Sequence, residues 1–402
     1  MFKPLSDEVL RQLADEFATP LYVYDGEKIA EQYQLLQAAF NPATTRFFYA
    51  CKALTNLHIL RLIKNQGCGI DCSSINEAYL AIKAGCSPNK ILYTSNGIAF
   101  EEIVAATELG IHINIDSLSN LEKFGARFGH SYPVGIRLRP NIMAGGNLKI
   151  STGHEKSKFG IPLEDIQLVL DLVKTHNLQI SGLHVHTGSE IKDVAVFLQV
   201  ARLLIDLIPN FPELKCIDLG GGFKVPYRDN ETGTDLKELG MKTAEIQIEI
   251  QEKFGKELEI WFEPGKFLVS ECGYLITQVN VLKQSGQILF AGINSGFNHL
   301  IRPMFYDAYH RIKNISNPNG AEKLYTITGN ICETDQFAEN RSLAEIREGD
   351  YLVFYNAGAY GYEMASNYNA RFKPAQVLIE NGASRLISRR DTLDDLLRLQ
   401  IL

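Results

Sequence analysis

The sequence predicts an α/β protein: a (β/α)8 TIM-type barrel joined to a mainly antiparallel β-domain. Three observations point there. Eight short apolar runs, most separated by helix-length amphipathic segments, recur between Arg46 and Phe262 and end in polar residues, as parallel strands covered by helices do. After Cys272 the alternation gives way to short β-rich runs bounded by Gly, Asn and Pro. At 402 residues the chain also exceeds one ordinary barrel, which leaves length for a second domain.

In chain order, residues 1–19 are charged and amphipathic, unlike a signal peptide. Leu21-Tyr22-Val23-Tyr24 is strand-like but has no long helix of its own before Asp25-Gly26, so it is expected to pair with the late sheet. Barrel strands are expected at residues 46–53, 69–73, 91–95, 112–116, 134–139, 180–187, 216–219 and 259–262. Later strands are expected at 274–282, 288–291, 324–328 and 351–355. The barrel domain then spans residues 25–268, and residues 1–24 and 269–402 form the second domain. Residues 143–158 are turn-rich without helical periodicity and are a candidate lid.

Composition excludes several classes. A formal charge of −7 and a pI near 5.8 exert no general pull on nucleic acid. No apolar run is long enough to span a bilayer, so the expected location is the cytoplasm with no membrane partner. Seven cysteines, an odd number without paired spacing, read as reduced thiols. His184-x-His186 is the tight histidine pair, and without an HExxH motif or convergent carboxylates no metal site is expected.

Catalytic groups of such barrels sit where strands end, so Lys52, Asp71, Asp116, Arg139, His184, His186, Gly220-Gly221-Gly222 and Glu263 are expected to face one pocket. Each has an ordinary reading alone: a surface lysine, a tight turn, a cap, a core histidine. Together they describe a chemistry. An amine at a strand end can form a Schiff base. A glycine run after the seventh strand lets backbone amides approach a phosphate. A carboxylate at Glu263 can keep a heteroaromatic ring nitrogen protonated, and His186 can stack on the ring. This is a pyridoxal 5'-phosphate site.

Tyr49-Ala50-Cys51-Lys52-Ala53, His184-Val185-His186-Thr187-Gly188-Ser189, Gly220-Gly221-Gly222-Phe223 and Glu263-Pro264-Gly265 resemble the fold-type III pyridoxal-phosphate enzymes. Ile301-Arg302-Pro303-Met304-Phe305-Tyr306-Asp307-Ala308-Tyr309-His310, Cys332-Glu333-Thr334-Asp335 and Asn356-Ala357-Gly358-Ala359-Tyr360 continuing to Ser366-Asn367-Tyr368-Asn369 narrow the resemblance to the diaminopimelate decarboxylase family. It covers almost the whole chain. The resemblance implies decarboxylation of meso-2,6-diaminopimelate to L-lysine, the last step of lysine biosynthesis. Lys52 and Cys332 are then catalytic, the first carrying the cofactor and the second delivering a proton. Asp71, His186, Ser189, Gly221, Gly222, Glu263, Gly265, Lys266 and Tyr360 join Lys52 in binding the cofactor. Lys266, Arg302, Tyr306, Glu333 and Tyr360 bind substrate. The family pattern also implies a homodimer with shared active sites, in which the second domain completes the site and the dimer interface.

Three positions depart from that pattern. Lys266 stands where Glu-Pro-Gly-Arg is usual and replaces a planar fork by a point charge. Glu190 stands for a glutamine, and Thr334-Asp335-Gln336 replaces a Ser-Gly-Asp type continuation. A decarboxylase for another basic amino acid or for carboxynorspermidine therefore stays open as the alternative. A racemase would gain little from an acid at the ring nitrogen, and a non-catalytic carrier of the cofactor needs no Cys332-Glu333 pair.

Overall fold

The computed structural model describes residues 4–142, 153 and 157–401. Of the candidate lid, only Gly153, Ser157 and Lys158 are among them. The chain forms two compact units, one of residues 32–225 and 232–268 and the other of residues 1–31, 226–231 and 269–402.

Helix α1 (Asp7–Phe17) is capped by Ser6, whose side chain accepts from the Val9 amide, and leads into strand β1 (Leu21–Asp25). The barrel strands follow: β2 (Thr45–Ala50), β3 (Gly69–Cys72), β4 (Ile91–Thr94), β5 (His112–Ile115), β6 (Val134–Arg139), the two-residue β7 (Ile161–Pro162), β8 (Ile180–His184), β9 (Cys216–Asp218) and β10 (Glu259–Phe262). Parallel pairing runs β5-β4-β3-β2-β10-β9-β8-β6, and a β5–β6 pairing closes the ring while β7 extends β6. Helices cover one face of each strand and the barrel interior buries the other, which is why the runs are near-continuously apolar. Phe48, Leu92, Cys216 and Trp261, from four strands, pack together as one buried layer. Phe47 stacks on Phe262 at 5.9 Å between centroids, so β2 and β10 also share an aromatic contact.

The helices start where side-chain oxygens replace missing backbone partners. Ser74, Ser117 and Asp235 each accept from an amide in the first turn of the helix that follows.

The second unit is built on β11 (Gly273–Ser285), β12 (Ile288–Ile293), β13 (Ile312–Asn314), β14 (Glu322–Thr328), β15 (Gln336–Ala344), β16 (Tyr351–Phe354), β17 (Ala375–Glu380) and β18 (Ala383–Ser388). Its sheet runs β15-β14-β12-β11-β1-β17-β18, with β16 pairing β11 and β13. Strand β1 lies antiparallel to β11 and parallel to β17, so the early strand does join the late sheet. Leu10 and Leu13 of α1 pack on Val23, Ile276, Val353 and Val377 to form the core of this unit. The hairpin β17–β18 was not anticipated. Its signal was Asn381-Gly382, both at positive φ (53° and 73°), which is the backbone a two-residue hairpin demands.

Candidate active site

Strand β2 ends at Ala50, and a single 3-10 turn, Cys51–Ala53, carries Lys52. The Ala50 amide donates to the Pro264 carbonyl at 3.2 Å, which ties the ends of β2 and β10 together. Lys52 Nζ lies 3.8 Å from Asp71 Oδ2; the lysine side chain is 42% exposed and the aspartate 2%. Burial, and then the Glu263 charge, push the Asp71 carboxyl well above the ordinary range, with Lys52 opposing.

Strands β8, β9 and β10 end on His184, Asp218 and the step before Glu263. His184 Nε2 is 3.3 Å from Glu263 Oε1, and both side chains are buried. Burial works against ionising Glu263, but the adjacent His184, with Lys52, outweighs it and holds its carboxyl below the usual range. Asp218 sits deeper: burial and Glu263 raise its carboxyl, while Oδ1 accepts from the Gly220 amide at 2.9 Å. Arg137 is the fully buried guanidinium whose charge acts on Glu263, Asp116, Asp71 and Asp218.

The glycine run is bound to this floor. The Gly221 amide donates to His186 Nδ1 at 3.2 Å, and the Glu263 amide donates to the Gly220 carbonyl at 2.9 Å. Because Nδ1 accepts there, His186 presents a neutral ring, and burial pushes its pKa down to about 3. A Cβ on Gly221 would lie 2.1 Å from the Glu263 carbonyl oxygen, and one on Gly222 would lie 2.2 Å from that of Gly188. No side chain fits either position. Half-buried Ser189 and Gly265 lie in the flanking segments.

Glu190 and Lys266, two departures from the expected pattern, form an ion pair. The Lys266 side chain is 8% exposed, and the same carboxylate also lies 3.8 Å from Lys224 Nζ. Glu190 holds a positive φ of 63° to reach this position.

The chain was compared with known proteins. Residues 26–270 match the family model described as the pyridoxal binding domain of pyridoxal-dependent decarboxylases. A diaminopimelate decarboxylase of Methanothermobacter thermautotrophicus is 38% identical over 97% of this chain and 93% of its own. The chain belongs to the diaminopimelate decarboxylase family. A crystal structure of a diaminopimelate decarboxylase matches all of this chain and 99% of its own, at 35% identity and a TM-score of 0.92. The Helicobacter pylori enzyme complexed with L-lysine matches 97% of this chain and 99% of its own, at 32% identity and a TM-score of 0.88.

The family cofactor is pyridoxal phosphate, and this barrel rim fits it. Asp71 Oδ1, Asp218 Oδ2 and His184 Nδ1 are buried without a hydrogen-bond partner among the described residues, and Glu263 Oε1 is buried against His184 Nε2. Buried polar atoms are normally satisfied, so such a group marks a place for a ligand. The glycines supply close backbone approach for its phosphate.

The remaining family positions lie in the other unit. Arg302 opens a short helix, α2 (Arg302–Tyr306), and is buried; Tyr306 is half-buried, and Tyr360 is half-buried with φ 55°. Cys332 and Glu333 are exposed. Asn369 donates from Nδ2 to Cys332 Sγ at 3.2 Å, and Tyr368 Oη, 3.7 Å from that sulfur, donates to Glu333 Oε1 at 2.7 Å. The Glu333 carboxylate, with Cys332 beside it, raises the Tyr368 pKa.

Sequence reasoning missed several of these residues. Arg137 and Arg139 project to the same side of β6, and Arg139 was singled out because it is terminal. It is the half-buried one, donating from Nη1 to the Ser157 carbonyl at 2.8 Å, while Arg137 enters the carboxylate cluster. Asp218, two residues before Gly220, brings a carboxylate that the sequence did not reveal beside His184: His184, Asp218 and Glu263 place ligand atoms within 4.8 Å of one another. Tyr368 and Asn369 lie in the motif run Ser366-Asn367-Tyr368-Asn369, but the sequence assigned them no role.

Proposed function

We propose that this chain decarboxylates meso-2,6-diaminopimelate to L-lysine and carbon dioxide, the last step of lysine biosynthesis, using pyridoxal 5'-phosphate. The observation that carries the reading is the convergence of Lys52, Asp71, His186, the glycine cradle and the buried Glu263 carboxylate on one barrel rim in a chain similar to these enzymes over 97% of its length. When bound, the cofactor supplies an electron sink for the pair left behind by carbon dioxide.

The chain's own residues do the rest. Lys52 would be the amine that holds the cofactor through its aldehyde, with the Asp71 carboxyl 3.8 Å away to orient it. Glu263, ionised in its buried setting, holds a proton at the ring nitrogen. His186 offers a flat, neutral ring for stacking. Ser189, Gly221, Gly222, Gly265, Lys266 and Tyr360 bind the cofactor. Arg302 takes the substrate's distal carboxylate through its planar fork, and Glu333 takes the distal ammonium. Tyr306, Tyr360 and Lys266 line the substrate. Cys332 delivers the proton to the carbon that lost carbon dioxide. An exposed Cys332-Glu333 pair suits a homodimer in which each subunit lends these residues to its partner's site, in the cytoplasm.

The test is carbon dioxide release by purified, cofactor-loaded protein given meso-diaminopimelate, its L,L isomer, ornithine, arginine and carboxynorspermidine in turn. L-lysine from the meso isomer alone is expected. A preference for ornithine or carboxynorspermidine overturns the substrate assignment. In Lys52→Ala the visible cofactor absorbance is expected to vanish, and its persistence would place the attachment on another lysine.

A further inference from the structure

Arg302 is a buried guanidinium, 7% exposed, on a helix of only five residues. Its contacts are a ring face and an imidazole, and no carboxylate pairs with it among the described residues. Such a side chain has several rotatable bonds and no opposite charge to hold it. Orientation must come from elsewhere, because bidentate recognition of a carboxylate requires the guanidinium plane to be set in advance.

His310 provides that orientation. Its Nδ1 lies 2.9 Å from the Tyr355 carbonyl oxygen, an atom that can only accept, so Nδ1 carries the proton. The Nε2 lone pair is therefore left to accept, and Arg302 Nε donates to it at 3.4 Å. Burial, with the Arg302 charge adding to it, pushes the His310 pKa down to about 3, so this tautomer persists at neutral pH. Tyr227 completes the frame: the Arg302 guanidinium lies over its ring at 5.2 Å, and the same ring meets His310 edge-on at 5.5 Å. Tyr227 is itself held by a 3.2 Å hydrogen bond from Oη to Ser270 Oγ. From the far side, Arg341 Nη1 donates to the His310 carbonyl at 2.9 Å. With Nε engaged and the ring face covered, the two terminal nitrogens of Arg302 remain for a ligand carboxylate.

We propose that His310 is a positioning residue for substrate recognition: as a neutral hydrogen-bond acceptor it fixes the Arg302 guanidinium in the plane that receives the distal carboxylate. The proposal rests on the reading of Arg302 as the distal-carboxylate contact. His310 acts through Arg302, so its effect falls on binding of ligands that keep that carboxylate.

The test uses the cofactor-loaded protein and two ligands. L-lysine keeps the distal carboxylate of meso-diaminopimelate, whereas cadaverine keeps both amines and has no carboxylate. In His310→Leu the Kd for L-lysine, measured by calorimetry, is expected to rise at least tenfold and that for cadaverine to stay within about twofold. KM for meso-diaminopimelate should rise in step, with kcat and the visible absorbance little changed. His310→Gln, which restores an acceptor oxygen near the position of Nε2, should recover most of the L-lysine affinity. Equal weakening of both ligands in His310→Leu, or no recovery in His310→Gln, would reduce His310 to a packing role and overturn the proposal. Arg302→Ala separates the two levels. If it weakens L-lysine selectively while His310→Leu does not, the positioning role alone fails. If it leaves L-lysine binding unchanged, the assignment of Arg302 itself fails.

Discussion

Replacing Gly221 by alanine tests whether the glycine run sets the position of Glu263. The added Cβ would lie 2.1 Å from the Glu263 carbonyl oxygen and 3.0 Å from its carbon. Ordinary C···O contacts lie at about 3.3 Å, so about 1.2 Å of separation has to be found. Both sides of the clash are backbone. One is tied by the Glu263 amide to the Gly220 carbonyl, at 2.9 Å, and the other by the Gly221 amide to His186, at 3.2 Å. Relief therefore breaks at least one buried hydrogen bond, a cost of roughly 1–3 kcal/mol. It also moves the Glu263 carboxylate or the His186 ring by about an ångström, which costs on the order of a hundredfold in rate. Gly255→Ala is the control: that glycine has a φ of 64° and no atom within 4 Å of the added carbon, so it should cost about 1 kcal/mol of stability and no activity. The assays are absorbance titration with cofactor and carbon dioxide release. Gly221→Ala is expected to raise the cofactor Kd at least tenfold and to cut turnover about a hundredfold. Wild-type affinity and turnover in this variant would refute the link between the glycine and the carboxylate.

Three further outcomes are expected. Cys332→Ala should keep the cofactor absorbance while decarboxylation falls roughly a hundredfold or more, the scale of one lost proton donor; full activity would remove Cys332 from the acid role. The Lys266–Glu190 pair should be coupled: in a urea-unfolding cycle of Lys266→Met, Glu190→Gln and the double variant, a coupling of about 1 kcal/mol is expected, and additive losses would show that the contact contributes nothing. Acid should destabilise the protein through its buried neutral histidines. Burial lowers the pKa of His186 and His310 to about 3 and of His299 to about 4, against about 6.5 in the unfolded chain. The unfolded state then binds more protons below pH 6.5, so each contributes stability that falls by up to about 1.4 kcal/mol per pH unit down to its folded value. Asp71 and Asp218, whose pKa values are raised, act in the opposite direction. Urea unfolding between pH 6.5 and pH 4.5 should show a shallower pH slope in His299→Gln than in the parent, and identical slopes would contradict the assignment.

The barrel was legible in the sequence because strands buried on both faces need near-continuous apolar runs, and all eight runs became strands of one closed sheet. Their ends were less so. The run through Ala53 stops as a strand at Ala50, where the 3-10 turn carrying Lys52 begins, and the one through Thr187 stops at His184. That Lys52, His186, the glycine run and Glu263 share one rim follows from parallel order alone, since every strand of such a barrel ends on the same side. The local signals also placed β1 in the late sheet, but its parallel pairing with β17, more than 350 positions away, left no trace along the chain. Tertiary structure decided the electrostatics. Arg137 is enclosed among the carboxylates while Arg139 is half-buried at the strand end, and the ion pair of Glu190 with Lys266 joins residues 76 positions apart. The tautomer of His310 depends on the Tyr355 carbonyl, 45 positions away. Residue type and spacing determine which groups reach the mouth of the barrel; their charge states and orientations depend on which neighbours displace water around them, and those neighbours come from distant parts of the chain.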